Sequence, residues 1–183
     1  MRWEELFRDL DQEWEAAAAA DIQAEVADRT RAELARIGVL DRLRGSVGGQ
    51  VRVHTPVGSC AGELTRVAAD CLLLRDGAVE MLVTAHHISG IEGLAAGVVT
   101  DEQVGGLERR LGLASVLRRV VRDRAAVTVE RAGSSMLHGT PVQAGADFVE
   151  LAVHERGASP RRSAVTSRQV VPFAAIVVVR REP

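Results

Sequence analysis

The sequence predicts a mainly β protein of the α+β class: two tandem five-stranded barrels, each preceded by a helix, behind a long N-terminal helix. Three observations predict it. The segment GELTRVAADCLLL, Gly62 to Leu74, is echoed by GTPVQAGADFVEL, Gly139 to Leu151, with the glycine, the Ala-Asp step and the final leucine at the same spacing. Short apolar runs bounded by glycine turns fill both halves, which is the pattern of small barrels and sandwiches. A stripe of helical period opens the chain.

Trp3, Phe7, Leu10 and Trp14 lie at spacings of four, three and four, and Ile22, Val26, Thr30, Leu34 and Ile37 continue the stripe, so residues 3 to about 43 read as helix. The alanine tract at 16–20 favours helix but offers little surface to bury. A helix of about 40 residues spans roughly 60 Å, more than one small barrel covers, so its first half is expected to meet another chain or fold back at the alanines. QVRVHT, GELTRV, DCLLLR, EMLVT and HISGIEGL then supply a first set of short strands. Thr100 to Gln103 has capping-box spacing and opens a helix carrying Val104, Leu107 and Leu111. Gly112 interrupts it, and a second piece carries Val116, Leu117, Val120 and Val121. AVTVER, MLHGTPVQ, DFVELAVH and QVVPFAAIVVVR supply the second set of strands.

Laid together, the copies are offset by 77 at Asp70 and Asp147 and by 88 at Ile88 and Ile176, so the second carries 11 extra residues. The loop ERGASPRRSAVTSRQ, from Glu155, accommodates them. The expected organisation is a helical extension over 1–32, a first helix-plus-barrel repeat over 33–99, and a second over 100–183 with a basic loop at 155–168. Leu72, Leu74, Val83, Ile88, Phe148, Leu151, Val171 and Ile176 are the expected core.

Composition excludes several function classes. The net charge is -2, and all 23 basic residues are arginine, with no lysine, asparagine or tyrosine. That balance argues against a surface coated in positive charge for nonspecific nucleic-acid binding. It is nonetheless uneven: residues 1–100 hold 10 arginines against 16 acids, and residues 101–183 hold 13 against 9. Halves of opposite sign favour self-assembly. No apolar run approaches the roughly 18 residues of a membrane span, and no basic region followed by an apolar stretch marks a secretory signal. Cys60 and Cys71 make a poor disulfide framework, so a cytoplasmic protein is expected.

His54, Cys60, Cys71, His86 and His87 all fall in the first copy. The cysteines are eleven apart, and adjacent histidines on a strand point to opposite faces, so no metal is expected. No G-x-S-x-G elbow or phosphate loop is present, and neither catalysis nor a cofactor is expected.

A helix, a first strand, then G-x-h-x-x-h ahead of an Asp and an apolar run (h apolar), and a closing strand with isoleucine, together resemble the Sm-like family; related SH3-like barrels share much of this. The first copy, from Val51 to Ile91, is most similar to bacterial Hfq, with HHIS, His86 to Ser89, standing near that family's KHAIS-type turn. The whole chain also resembles a type of protein from GC-rich actinobacteria. The family resemblance implies barrels whose strand edges pair with neighbours into rings. It also implies an RNA site built on an Asp and an Asn between the second and third strands and a basic residue near the last turn. Here Ala68 stands in the place of that Asp, Asp70 comes two residues late, and Ala85 replaces the lysine.

Two functions follow as expectations. The first is a non-enzymatic scaffold, a homodimer or larger assembly that holds an unidentified protein partner through its helix and barrel edges, with Trp3, Phe7, Leu10 and Trp14 at the helix interface. The alternative is an Sm-type RNA binder using His86, His87, Arg161, Arg162 and Arg168. The missing Asp, Asn and Lys and the shortage of aromatic stacking platforms favour the first.

Overall fold

The structure, a computed structural model, describes residues 14, 23, 25–26, 28–100, 105, 110–133, 135–157 and 165–181. Two compact units divide the chain, Met1–Gly38 and Val39–Pro183, and the second holds every strand among the described residues. Its elements in order are α1 (Val39–Arg44), β1 (Gln50–Thr55), β2 (Gly58–Val67), β3 (Cys71–Asp76), β4 (Val79–Thr84) and β5 (Gly90–Glu92). Then come α2 (Leu113–Asp123), β6 (Val127–Arg131), β7 (Ser135–Ala144), β8 (Phe148–Val153), β9 (Ser167–Pro172) and β10 (Ile176–Arg181).

The expected pair of closed five-stranded barrels is not what forms. The ten strands make one open antiparallel sheet in the order β5-β1-β2-β3-β4-β10-β6-β7-β8-β9. Closure of a five-strand set on itself would need β4 to bond β5. Instead β5 pairs only with β1, and β4 gives its outer edge to β10, which comes from the other repeat. A strand edge takes whichever partner satisfies its N–H and C=O groups, and here that partner lies almost a hundred residues away.

The long N-terminal helix is also corrected. Residues 28–34 are helical, but the chain leaves the helix at 35–38 before α1 begins. Arg36 N–H bonds to Glu33 O at 3.1 Å and Ile37 N–H to Leu34 O at 3.2 Å, the three-residue spacing that tightens and ends a helix. Gly38 follows, and glycine opposes helix continuation by about 1 kcal/mol. No described helix is long and apolar enough to cross a membrane.

The repeat itself extends to single hydrogen bonds. Both second strands, β2 and β7, run ten residues and slip register at the same place, between Leu64 and Arg66 and between Pro141 and Gln143. Just before each bulge lies the repeated glycine. A Cβ on Gly62 would sit 2.6 Å from Arg75 O, and one on Gly139 would sit 2.4 Å from Ala152 O, so the bent strand crosses its neighbour too closely for a side chain. Ala68 N–H to Cys71 O (2.8 Å) is matched by Gly145 N–H to Phe148 O (2.9 Å). Ala85 N–H to Asp70 O (2.8 Å) is matched by Phe173 N–H to Asp147 O (2.7 Å). Residues 77–78 join β3 to β4, whereas 154–166 join β8 to β9, and this connection holds the 11 extra residues.

Two apolar clusters form the core. One gathers Leu43, Leu64, Leu72, Leu74 and Val83 with Val177 and Val178 of β10; the other gathers Leu117, Val149, Leu151, Val171 and Ile176 with Cys71 and Leu82 of the first repeat. Ile88 and Phe148, also expected in the core, are only half-buried. Each cluster borrows residues from the opposite repeat, so β4 and β10 belong to both.

Candidate functional site

Among the described residues, the joint between the repeats and the two free edges of the sheet are where strand edges are paired across the duplication or left open. At the joint, Val83 faces Val178, Leu82 faces Val179, Met81 faces Arg180 and Glu80 faces Arg181. Both strands carry four consecutive buried residues, Met81 to Thr84 and Ile176 to Val179. A continuous apolar run marks a strand covered on both faces, unlike the one-sided alternation of β1. The buried Thr84 hydroxyl donates to Ile176 O at 2.8 Å, which ties the end of β4 to the start of β10.

Polar groups pin the rest of the joint. Arg180 donates through Nε to Glu130, and its Nη1 and Nη2 rest on Met81 Sδ (2.8 Å) and Cys60 Sγ (3.6 Å). Burial pulls the Arg180 pKa down, but the hydrogen bond and charge of Glu130 outweigh it and hold the guanidinium charged. Burial pushes the Cys60 thiol up despite that arginine, and burial with the Asp70 charge pushes Cys71 up to about 12. Both cysteines are free thiols, and protonated buried thiols are neither nucleophiles nor ready ligands.

His86 and His87 fall on a short 3-10 turn, Ala85–His87, and their rings stand 4.2 Å apart. The strand geometry that separates adjacent side chains therefore does not apply to them. Both Nε2 atoms point to one acceptor, Ala174 O, at 3.4 and 3.0 Å. A carbonyl only accepts, so each Nε2 carries its proton. Ala174 lies on Phe173–Ala175, the same turn in the second repeat, so these histidines lock the two turns together.

Asp70 has a structural task as well. Its Oδ1 accepts from Leu113 N–H at 2.7 Å and so caps the start of α2, and a side chain on Gly112 would lie 2.8 Å from that oxygen. The carboxylate that comes nearest to the Sm-type RNA position is thus occupied. This long-range cap escaped sequence reading because its two partners are 43 residues apart.

The open edges are β5 and β9. β5 has three residues, and its Glu92 is held by His54 Nε2 at 2.8 Å and Arg52 Nε at 3.7 Å. β9 has six residues, exposes 61% of Val170, and sets Arg168 against Glu150 at 3.4 Å. Of the remaining expected site residues, Trp14 is helical and 78% exposed, while Trp3, Phe7, Leu10, Arg161 and Arg162 lie outside the described residues. Arg168 and the histidine pair are on different repeats and do not share a hydrogen bond or ion pair in the structure. The signal that could have found the joint was the continuous apolar character of EMLVT and AAIVVVR.

No known protein-family model matches this chain, and no curated protein sequence matches it.

Proposed function

We propose that the protein is a non-enzymatic interaction module that assembles with copies of itself, and thereby with a protein partner, through the edges of its sheet. One observation carries this reading. The strands that pair internally, β4 and β10, are the repeat counterparts of the strands that end the sheet, β9 and β5. The geometry that seats β4 on β10 inside one chain therefore has a second realisation between chains, β9 on β5.

The internal register supplies the details. Carried across the offset of 88, it sets Val171 opposite Gly90, Val170 opposite Ile91 and Gln169 opposite Glu92. Val170, the most exposed valine among the described residues, then covers the half-buried Ile91 on the same face of the extended sheet. Edge groups that would otherwise face water gain ladder hydrogen bonds. Such a contact is head to tail, and it forms a ring when its rotation closes. A cytoplasmic setting goes with this reading, since Cys60 and Cys71 are free thiols.

Light scattering tests it, with Val170→Glu as the variant. The wild-type protein is expected above monomer mass at micromolar concentration, and the exposed V170E change is expected to return it to monomer without lowering its melting temperature. A strict monomer in the wild type sinks the proposal.

A further inference from the structure

A cleft of about 420 Å³ opens on the second repeat between the end of α2, the strands β7 and β8, and the start of β9. That volume lies in the range of small-molecule sites. Among the described residues, its polar lining is Arg124, Arg168, Thr140 and His154, its apolar walls include Val121 and Pro141, and none of them is a carboxylate.

Arg124 is the unusual member. It ends α2 at φ 52° and ψ 31°, and it is the only non-glycine with positive φ among the described residues. Six glycines take positive φ elsewhere, and the residue that closes a helix in this conformation is ordinarily glycine. An arginine there is strained, and strained backbone is kept where the side chain has a task. No carboxylate among the described residues pairs with its guanidinium. Arg168 reaches Glu150 only at 3.4 Å, a long contact that leaves most of its fork open.

The floor is rigid. His154 is 4% exposed, and its Nδ1 donates to Glu155 O at 3.0 Å while its Nε2 meets the Thr140 hydroxyl at 3.0 Å. With both ring nitrogens engaged, the imidazole cannot turn, and it sits edge-on to His138 at 5.2 Å between centroids. Two arginines lining a cleft with a fixed polar floor and apolar walls suit an oxyanion that carries an apolar group.

We propose that this cleft binds a small organic phosphate, with Arg124 and Arg168 holding the phosphate and Val121 and Pro141 covering its apolar part. The proposal does not depend on assembly through the sheet edges, because every lining residue belongs to one chain.

Titration calorimetry with phenyl phosphate as the probe, inorganic phosphate as the minimal anion and phenol as the uncharged control tests it on the full chain. Phenyl phosphate is expected to bind more tightly than inorganic phosphate, phenol is expected not to bind, and affinity is expected to fall as salt rises. Arg124→Gly separates function from structure, since glycine relieves the strain while removing the charge. The variant is expected to melt at the same temperature or about 2 °C higher, yet to lose about tenfold or more in phenyl phosphate affinity. Arg124→Lys is expected to recover part of that loss. Absence of binding by phenyl phosphate, or an R124G protein that binds it as wild type does, overturns the proposal.

Discussion

Gly62 and Gly139 occupy one position in two copies of the same bent strand pair, each pressed against a carbonyl of the neighbouring strand, Arg75 O and Ala152 O. A methyl group at either site meets backbone, which cannot swing away as a side chain could. Gly62→Ala and Gly139→Ala are each expected to destabilise the protein by about 1–3 kcal/mol, the usual penalty of overpacking. Urea midpoints measure this, and an unchanged midpoint for both variants contradicts the close approach.

The Asp70 cap predicts a smaller loss. Its carboxylate satisfies Leu113 N–H from the far repeat and faces the positive end of α2. Asp70→Ala is expected to cost about 1 kcal/mol, and Asp70→Asn, which keeps an accepting oxygen, about half as much. Thermal melts followed by circular dichroism give both values. Equal losses in the two variants point to the charge alone and away from the hydrogen bond.

Glu130 and Arg180 predict a non-additive pair. Their side chains are 10% and 28% exposed, so removing one leaves the other partly desolvated without its partner. Glu130→Leu is expected to destabilise by about 2 kcal/mol, while the double change Glu130→Leu with Arg180→Met is expected to lie closer to wild type than the single one. A double-mutant cycle reads the coupling, and additive losses rule it out.

Alkaline stability follows from two thiols. The chain has no tyrosine or lysine, so above about pH 9 the cysteines dominate side-chain titration. Burial raises Cys71 from 9.0 to about 12 in the folded protein and raises Cys60 in the same direction. A raised folded pKa means that the stabilisation is full below pH 9 and is lost as pH climbs towards 12. Unfolding free energy is expected to decline across that window, and Cys71→Ala is expected to flatten the decline while lowering stability at pH 7. A decline of the same slope in the variant assigns the effect elsewhere.

The duplication was legible in the sequence because it is written in residues whose geometry is local. A glycine that admits a close crossing, an Ala-Asp step that turns the chain, and alternation that assigns one face inward all act over a few residues. The connection from β8 to β9 is longer by 11 residues than the one from β3 to β4, the same difference as that between the offsets of the two copies. The histidine pair was harder to place, since one turn rather than a strand beneath His86 and His87 brings their rings together.

By itself, the sequence determined which residues form strands, which faces are apolar, and that the pattern occurs twice. Tertiary structure decided what each strand edge bonds to. Val83 faces Val178, 95 positions further along the chain, and no local preference distinguishes that pairing from closure onto β5. Side-chain pattern specifies the face of a strand, but the edge is backbone, identical in every residue except proline. The partner of an edge is therefore set by which arrangement buries both faces of Met81 to Thr84 and Ile176 to Val179 together, and that arrangement is one open sheet.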